Sequence, residues 1–321
     1  MNKIILFISC TLIFNVYSSE SKKSPILLLP GATTNHLFYE LGGANSLSSQ
    51  IEKTGHSFYV LDTNEINTQK EYIDSVIERT SELTIKYQKR PILAGYSMGG
   101  MFANKILSLS PNLYEGFILL DSVGVSQDRE LTDYYTTNCN QYVVKTKSSI
   151  WDPIGENARQ GAFKVLEKPD EKSLYNSALT NLEFFYLTYS SHLPTDPGKW
   201  LFMLPNKKGT FMHMGKTRAI EMIFSLKRRE STNLFKDVYC TIGSKSNKFV
   251  LNADKFNGPI LGIGAEYGLG PFMDETLNMY SNSSSMEFLL IKGAGHMDII
   301  AAENQDVTVM KHIVIWLNRY F

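Results

Sequence analysis

Short apolar runs separated by amphipathic stretches set the pattern of this chain. Residues 24–30 (Ser-Pro-Ile-Leu-Leu-Leu-Pro), 91–94 and 116–120 are apolar almost without interruption, as strands covered on both faces are. Residues 56–62, 259–264 and 286–291 read as further strands. Between them lie helical patterns over residues 45–53, closed by Gly55, over 68–89, with Tyr72, Val76, Ile77, Leu83 and Tyr87 among its apolar positions, and over 98–109. A last helix is expected over residues 304–319, with Val307, Met310, Ile313, Val314 and Leu317 on its apolar side. Strands alternating with helices predict an α/β fold: a mostly parallel sheet, helices on both faces, right-handed crossovers. The pattern breaks after Gly124 and resumes at Pro259. The interval holds most of the aromatic clustering (Tyr134, Tyr135, Phe184, Phe185, Tyr186, Tyr189) and is helical in patches, over 174–189 and 217–228.

Candidate chemistry enters at Gly95-Tyr96-Ser97-Met98-Gly99-Gly100, between an expected strand and an expected helix. A turn that sharp crowds the backbone two residues either side of its apex, so glycines at 95 and 99 leave room that side chains would fill. Ser97 is then raised out of the sheet as a candidate nucleophile, and the Met98 amide sits at a helix N-terminus where an oxyanion would form. A plain glycine-rich strand-to-helix turn is the other reading of the same residues. A serine hydroxyl needs a base within reach. Of His36, His56, His192, His213, His296 and His312, the one on a glycine-flanked loop after the last expected strand is His296. His213 is second, and His56, opening a strand, reads as structural. No histidines and carboxylates fall at metal-ligand spacing, so no metal and no cofactor are expected.

The strand–Gly-x-Ser-x-Gly–helix unit, the order serine then histidine, and the strand–helix alternation resemble the α/β-hydrolases over residues 24–124 and 256–321. The resemblance implies a helical cap in residues 125–255 and acyl transfer by Ser97 with His296 as base. It implies an oxyanion hole from the amides of Met98 and Ala32, although the usual His-Gly of that loop is Pro30-Gly31 here. The acid departs from the pattern: its usual position, after the strand at 259–264, is Tyr267. Two carboxylates remain, with Asp274 behind them. Asp121 ends the strand after the serine helix, where haloalkane dehalogenases, pancreatic-type lipases and one group of secreted bacterial esterases carry their acid. Glu266 lies one residue off the usual place.

Composition narrows the picture further. The 321 residues are 43% hydrophobic and 20% charged, with 32 basic and 32 acidic side chains. That balance is ordinary for a globular chain, and no Lys/Arg cluster argues for nucleic acid; Lys227-Arg228-Arg229 is short and followed by Glu230. Residues 1–18 carry a basic start, an apolar run and small residues near Ser18, the pattern of a secretory signal peptide rather than a membrane anchor. The expected division is 1–18 signal, 19–124 first part of the hydrolase core, 125–255 cap, 256–321 second part of the core. Cys139 and Cys240 either pair, as an exported chain allows, or stay as buried thiols. The expected function is a secreted serine hydrolase acting on a small to medium apolar ester, with no nucleic-acid partner. A lipase, thioesterase or acyltransferase, or a non-catalytic binding protein on the same fold, are the alternatives.

Overall fold

The computed structural model describes residues 23–174, 176–190, 203, 205–206, 210–304 and 308–321, so the expected signal peptide and His192 lie outside the described residues. Six strands form one parallel sheet: β1 (Ile26–Leu29), β2 (Phe58–Val60), β3 (Ile92–Tyr96), β4 (Phe117–Leu120), β5 (Ile260–Tyr267) and β6 (Met286–Gly295). Their order is β2-β1-β3-β4-β5-β6. The unbroken apolar runs have a direct cause. Ile26 and Leu28, Ile92 and Ala94, Ile118 and Leu120 face one core, while Leu27 and Leu29, Leu93, Phe117 and Leu119 face another. Each fully buried Leu or Ile contributes about 1.5–3 kcal/mol, so a polar residue on either side of these strands would be costly.

One face is covered by α1 (Leu47–Glu52), through Leu47 and Ile51, and by the C-terminal helix, through Ile313, Trp316 and Leu317. The other is covered by α2 (Gln69–Tyr87) and α3 (Met98–Leu109), through Tyr72, Val76, Leu83, Met101, Phe102 and Ile106. α2 begins at a capping box in which Thr68 accepts from the Glu71 amide and Glu71 accepts from the Thr68 amide.

Between β4 and β5 the chain leaves the sheet as α4 (Arg129–Lys145), α5 (Ile154–Glu167), α6 (Asn181–Ser190), α7 (Lys216–Ser225) and α8 (Thr232–Gly243), and α9 (Met310–Tyr320) follows β6. α4 and α8 pack together, joined by a disulfide between Cys139 and Cys240. Tyr142 stacks on Tyr239 at 5.4 Å and meets Phe235 at 4.9 Å, and Tyr135 lies 5.4 Å from Tyr239.

Several boundaries differ from the sequence expectation. The helix expected from residue 174 begins at Asn181, because Thr180 and Glu183 exchange the bonds of a second capping box. α4, α5 and α8 were not singled out from the sequence. The last helix begins at Met310, and Val307 lies outside the described residues. β5 and β6 run three and four residues beyond expectation, pairing Tyr267 with Gly295 after an irregularity that follows Ile291. Among the described residues no helix is long and apolar enough to cross a membrane.

Candidate active site

β3 ends at Tyr96 and α3 begins at Met98, so Ser97 alone makes the turn. Its backbone is at φ 52°, ψ −125°, a conformation a side-chain-bearing residue adopts only when its surroundings enforce it. A Cβ on Gly99 would stand 2.1 Å from the Leu29 carbonyl oxygen, so only glycine lets α3 start against the end of β1. The Ser122 hydroxyl donates to the Ser97 carbonyl at 2.6 Å and fixes the turn from the neighbouring strand end.

His296 follows directly on β6. Its Nε2 lies 2.9 Å from Ser97 Oγ, and its Nδ1 is hydrogen-bonded to Asp121 Oδ2. With the Nδ1 proton donated to Asp121, Nε2 is free to accept the serine hydroxyl. Tyr96 holds the ring in place: the two rings stack at 5.0 Å and 18°, and the Tyr96 hydroxyl donates to the His296 carbonyl at 2.9 Å. Burial raises the Tyr96 phenol well above its ordinary pKa, so this hydroxyl stays a donor.

Asp121 is fully buried at the end of β4, with φ 39°. Beyond His296 it has two partners: Oδ1 accepts the Ala265 amide at 2.7 Å, and Oδ2 accepts the Leu269 amide at 3.0 Å. The end of β5 and the turn after it, where the resemblance would place an acid, instead donate the Ala265 and Leu269 amides to an acid from the end of β4. A Cβ on Gly268 would stand 2.1 Å from Asp121 Oδ2, so this turn closes around the carboxylate only with glycine there. Glu266 points elsewhere, accepting the Gly293 amide at 2.8 Å, and Asp274 is exposed. Of the sequence candidates, the structure joins Ser97, His296 and Asp121 in one chain of hydrogen bonds and leaves Glu266 and Asp274 outside it.

Ala32 and Met98 line the same cavity as Ser97. Among the described residues neither amide has an acceptor within the protein, which leaves both available to a developing oxyanion. The other histidines lie apart: His56 Nδ1 bonds the Ser24 carbonyl at 2.8 Å, and His213 Nε2 bonds the Gly293 carbonyl at 2.5 Å.

The cavity above Ser97 measures about 600 Å³. Its floor is Ser97, His296, Met101 and Leu269, and one wall is the Tyr134, Tyr135, Tyr142, Phe235, Tyr239 group of α4 and α8. Ile154, Ala158, Phe184 and Phe185 of α5 and α6 form the other. Burial pushes the Tyr239 phenol up to about 12, so this wall stays uncharged across the ordinary pH range.

Tyr96, Ser122, Gly268 and the amides of Ala265 and Leu269 were missed in the sequence. Only Gly268, inside the run Gly264 to Gly270, carried a signal there, that of a close backbone approach.

No family model matches the sequence, and no curated protein sequence does. Solved structures do. A candidate lipase from Sulfolobus solfataricus superposes with a TM-score of 0.64 at 18% identity, over 93% of this chain and 87% of that one. A structure from work on the carboxylesterases of the thaumarchaeon Nitrososphaera gargenis gives 0.54 at 12% identity, over 94% and 93%. The monoacylglycerol lipase of Paleococcus ferrophilus gives 0.51 at 12%, over 93% and 96%. The chain has the α/β-hydrolase fold.

Proposed function

We propose that the protein is a serine-dependent carboxylic ester hydrolase. The observation that carries this reading is the connected chain Ser97 Oγ–His296 Nε2, His296 Nδ1–Asp121, set at the floor of a largely apolar cavity. Ser97 Oγ attacks the ester carbonyl as His296 takes its proton, and the imidazolium is stabilised by Asp121. The carbonyl electrons move onto oxygen, which receives the amides of Met98 and Ala32. As the tetrahedral intermediate collapses, His296 returns the proton to the departing alcohol. Water then repeats the sequence on the acyl-enzyme and releases the acid.

Two further observations support the choice of substrate. The cavity is of the size that encloses a small to medium organic molecule, and its aromatic walls suit an apolar acyl or alcohol group. Structural neighbours described as lipases and carboxylesterases act, by their names, on esters. We also propose export, which the Cys139–Cys240 bond favours because such bonds persist in oxidising compartments.

The test is hydrolysis of p-nitrophenyl esters from acetate to palmitate by the wild-type chain and by Ser97→Ala, with fluorophosphonate labelling alongside. Turnover and labelling by the wild type, both abolished in the variant, are expected. Turnover that survives in Ser97→Ala, or a wild type that neither turns over nor labels, would overturn the reading.

A further inference from the structure

The oxyanion amide of Ala32 belongs to a loop that the core does not hold by itself. Thr33, the next residue, is at φ 61°, a left-handed conformation that a β-branched residue rarely adopts. Both of its backbone groups are tied to one segment between α7 and α8. The Thr33 amide donates to Glu230 Oε2 at 2.8 Å, and the Thr33 carbonyl accepts the Lys227 amide at 2.5 Å. Glu230 and Lys227 are themselves an ion pair at 2.7 Å, with side chains 0% and 3% exposed. Lys227 Nζ also donates to Thr63 Oγ1 at 2.7 Å, and Glu230 Oε1 accepts the Ser231 amide at 3.2 Å. Desolvation of a buried ion pair offsets most of its attraction, and apolar replacements of similar volume are often as stable, so stability alone does not account for this pair. Among the described non-glycine residues with positive φ, Gln88 caps the C-terminal end of α2 and Lys245 follows α8, whereas Ser97, Asp121 and Thr33 all stand at the site.

We infer that the buried Lys227–Glu230 pair is the positioning element of the oxyanion hole. Glu230 supplies a fixed acceptor that holds Thr33 in its strained conformation and so aims the preceding Ala32 amide at the substrate oxygen. Lys227 holds that carboxylate in its orientation through the 2.7 Å contact. Both are positioning residues, since neither side chain touches the reacting atoms. The hole is then completed by the segment inserted between β4 and β5, not by the sheet alone. This rests on the acyl-transfer reading of Ser97.

Two double variants separate the inference from a general loss of structure, because neither leaves an unpaired buried charge. In Lys227→Met/Glu230→Gln the Gln oxygen still accepts the Thr33 amide. In Lys227→Met/Glu230→Leu nothing does, and Glu230→Met replaces Leu should that chain not fold. The readouts are kcat and KM on a p-nitrophenyl ester and the inhibition constant of an alkyl trifluoromethyl ketone. Ser97 Oγ adds to that carbonyl, His296 takes the serine proton, and the resulting oxyanion enters the hole. The Gln variant keeps an acceptor for the Thr33 amide but loses the Lys227 contact, and should fall between wild type and the Leu variant in kcat and ketone affinity, with KM within about threefold of wild type. The Leu variant should lose about 10²-fold in kcat and in ketone affinity while KM stays within about threefold, the size expected for a misplaced oxyanion donor. Equal kcat and equal ketone affinity in the two double variants would overturn the inference while leaving the esterase reading intact. A wild type without Ser97-dependent turnover would sink both.

Discussion

At the scale of single residues the site turns on which carboxylate faces His296. Asp121→Asn should lower kcat by about 10³–10⁴-fold with the fold retained, because the amide no longer stabilises the imidazolium or fixes its tautomer. Glu266→Gln should change kcat by less than about threefold, since an amide oxygen can still accept from Gly293. Steady-state kinetics with circular dichroism on both variants checks the pair, and the reverse pattern would remove Asp121 from the mechanism. Gly268→Ala should cost about 10²-fold in kcat, because its Cβ would displace the Asp121 carboxylate. The placing of Ser97 beside His296 was legible in the sequence because a strand–Gly-x-Ser-x-Gly–helix turn and a glycine-flanked loop are local patterns. The choice between Asp121 and Glu266 was not local. It depends on a turn after β5 closing on a carboxylate at the end of β4, a relation set by the pairing of two strands whose partners, such as Phe117 and Ile260, are 143 residues apart. The Lys227–Glu230 pair was hidden for another reason: three consecutive basic residues look like a solvated run, yet Lys227 is buried and Arg228 exposed.

At the scale of elements, the four inner strands were legible because burial on both faces leaves little room for polar positions, while the edge strands β2 and β6 are only partly buried. Strand ends were not legible, since β5 and β6 continue through glycines and polar residues once paired. The helices between β4 and β5 were the least readable. α4 places tyrosines where an aliphatic stripe would be expected, and those rings pack on α8 and line the cavity rather than a sheet. The disulfide does for this pair what a larger apolar seam would otherwise do. Cys139→Ser/Cys240→Ser should lower unfolding free energy by about 2–4 kcal/mol, read from urea denaturation under non-reducing conditions. An unchanged midpoint would mean the tyrosine packing suffices.

At the scale of the whole molecule, the formal charge is zero and single buried groups decide the response to acid. His56 is one: burial lowers its pKa, Lys23 and Lys89 lower it further, and the Ser24 carbonyl partly opposes them. Its Nε2 is buried with no hydrogen-bond partner, so a second proton there would be unsatisfied. The folded state therefore binds fewer protons than the unfolded one, and this group's stabilising effect is complete above its ordinary value of 6.5 and declines as pH falls below it. His56→Asn should narrow the gap between melting temperatures at pH 7 and pH 5; a gap equal to that of wild type would exclude His56 as its source.

The hydrogen bonds of the site also set a clock. Ser97 and His296 are 199 residues apart, and His296 and Asp121 are 175 apart. Helices form within about a microsecond, whereas contacts between distant segments wait on closure of the chain between them. During refolding, reactivity toward a fluorophosphonate should thus return after the far-ultraviolet circular dichroism signal. The Cys139–Cys240 bond lies inside the 97–296 span and short-circuits 101 of its residues, so the oxidised chain should regain reactivity sooner than the reduced one.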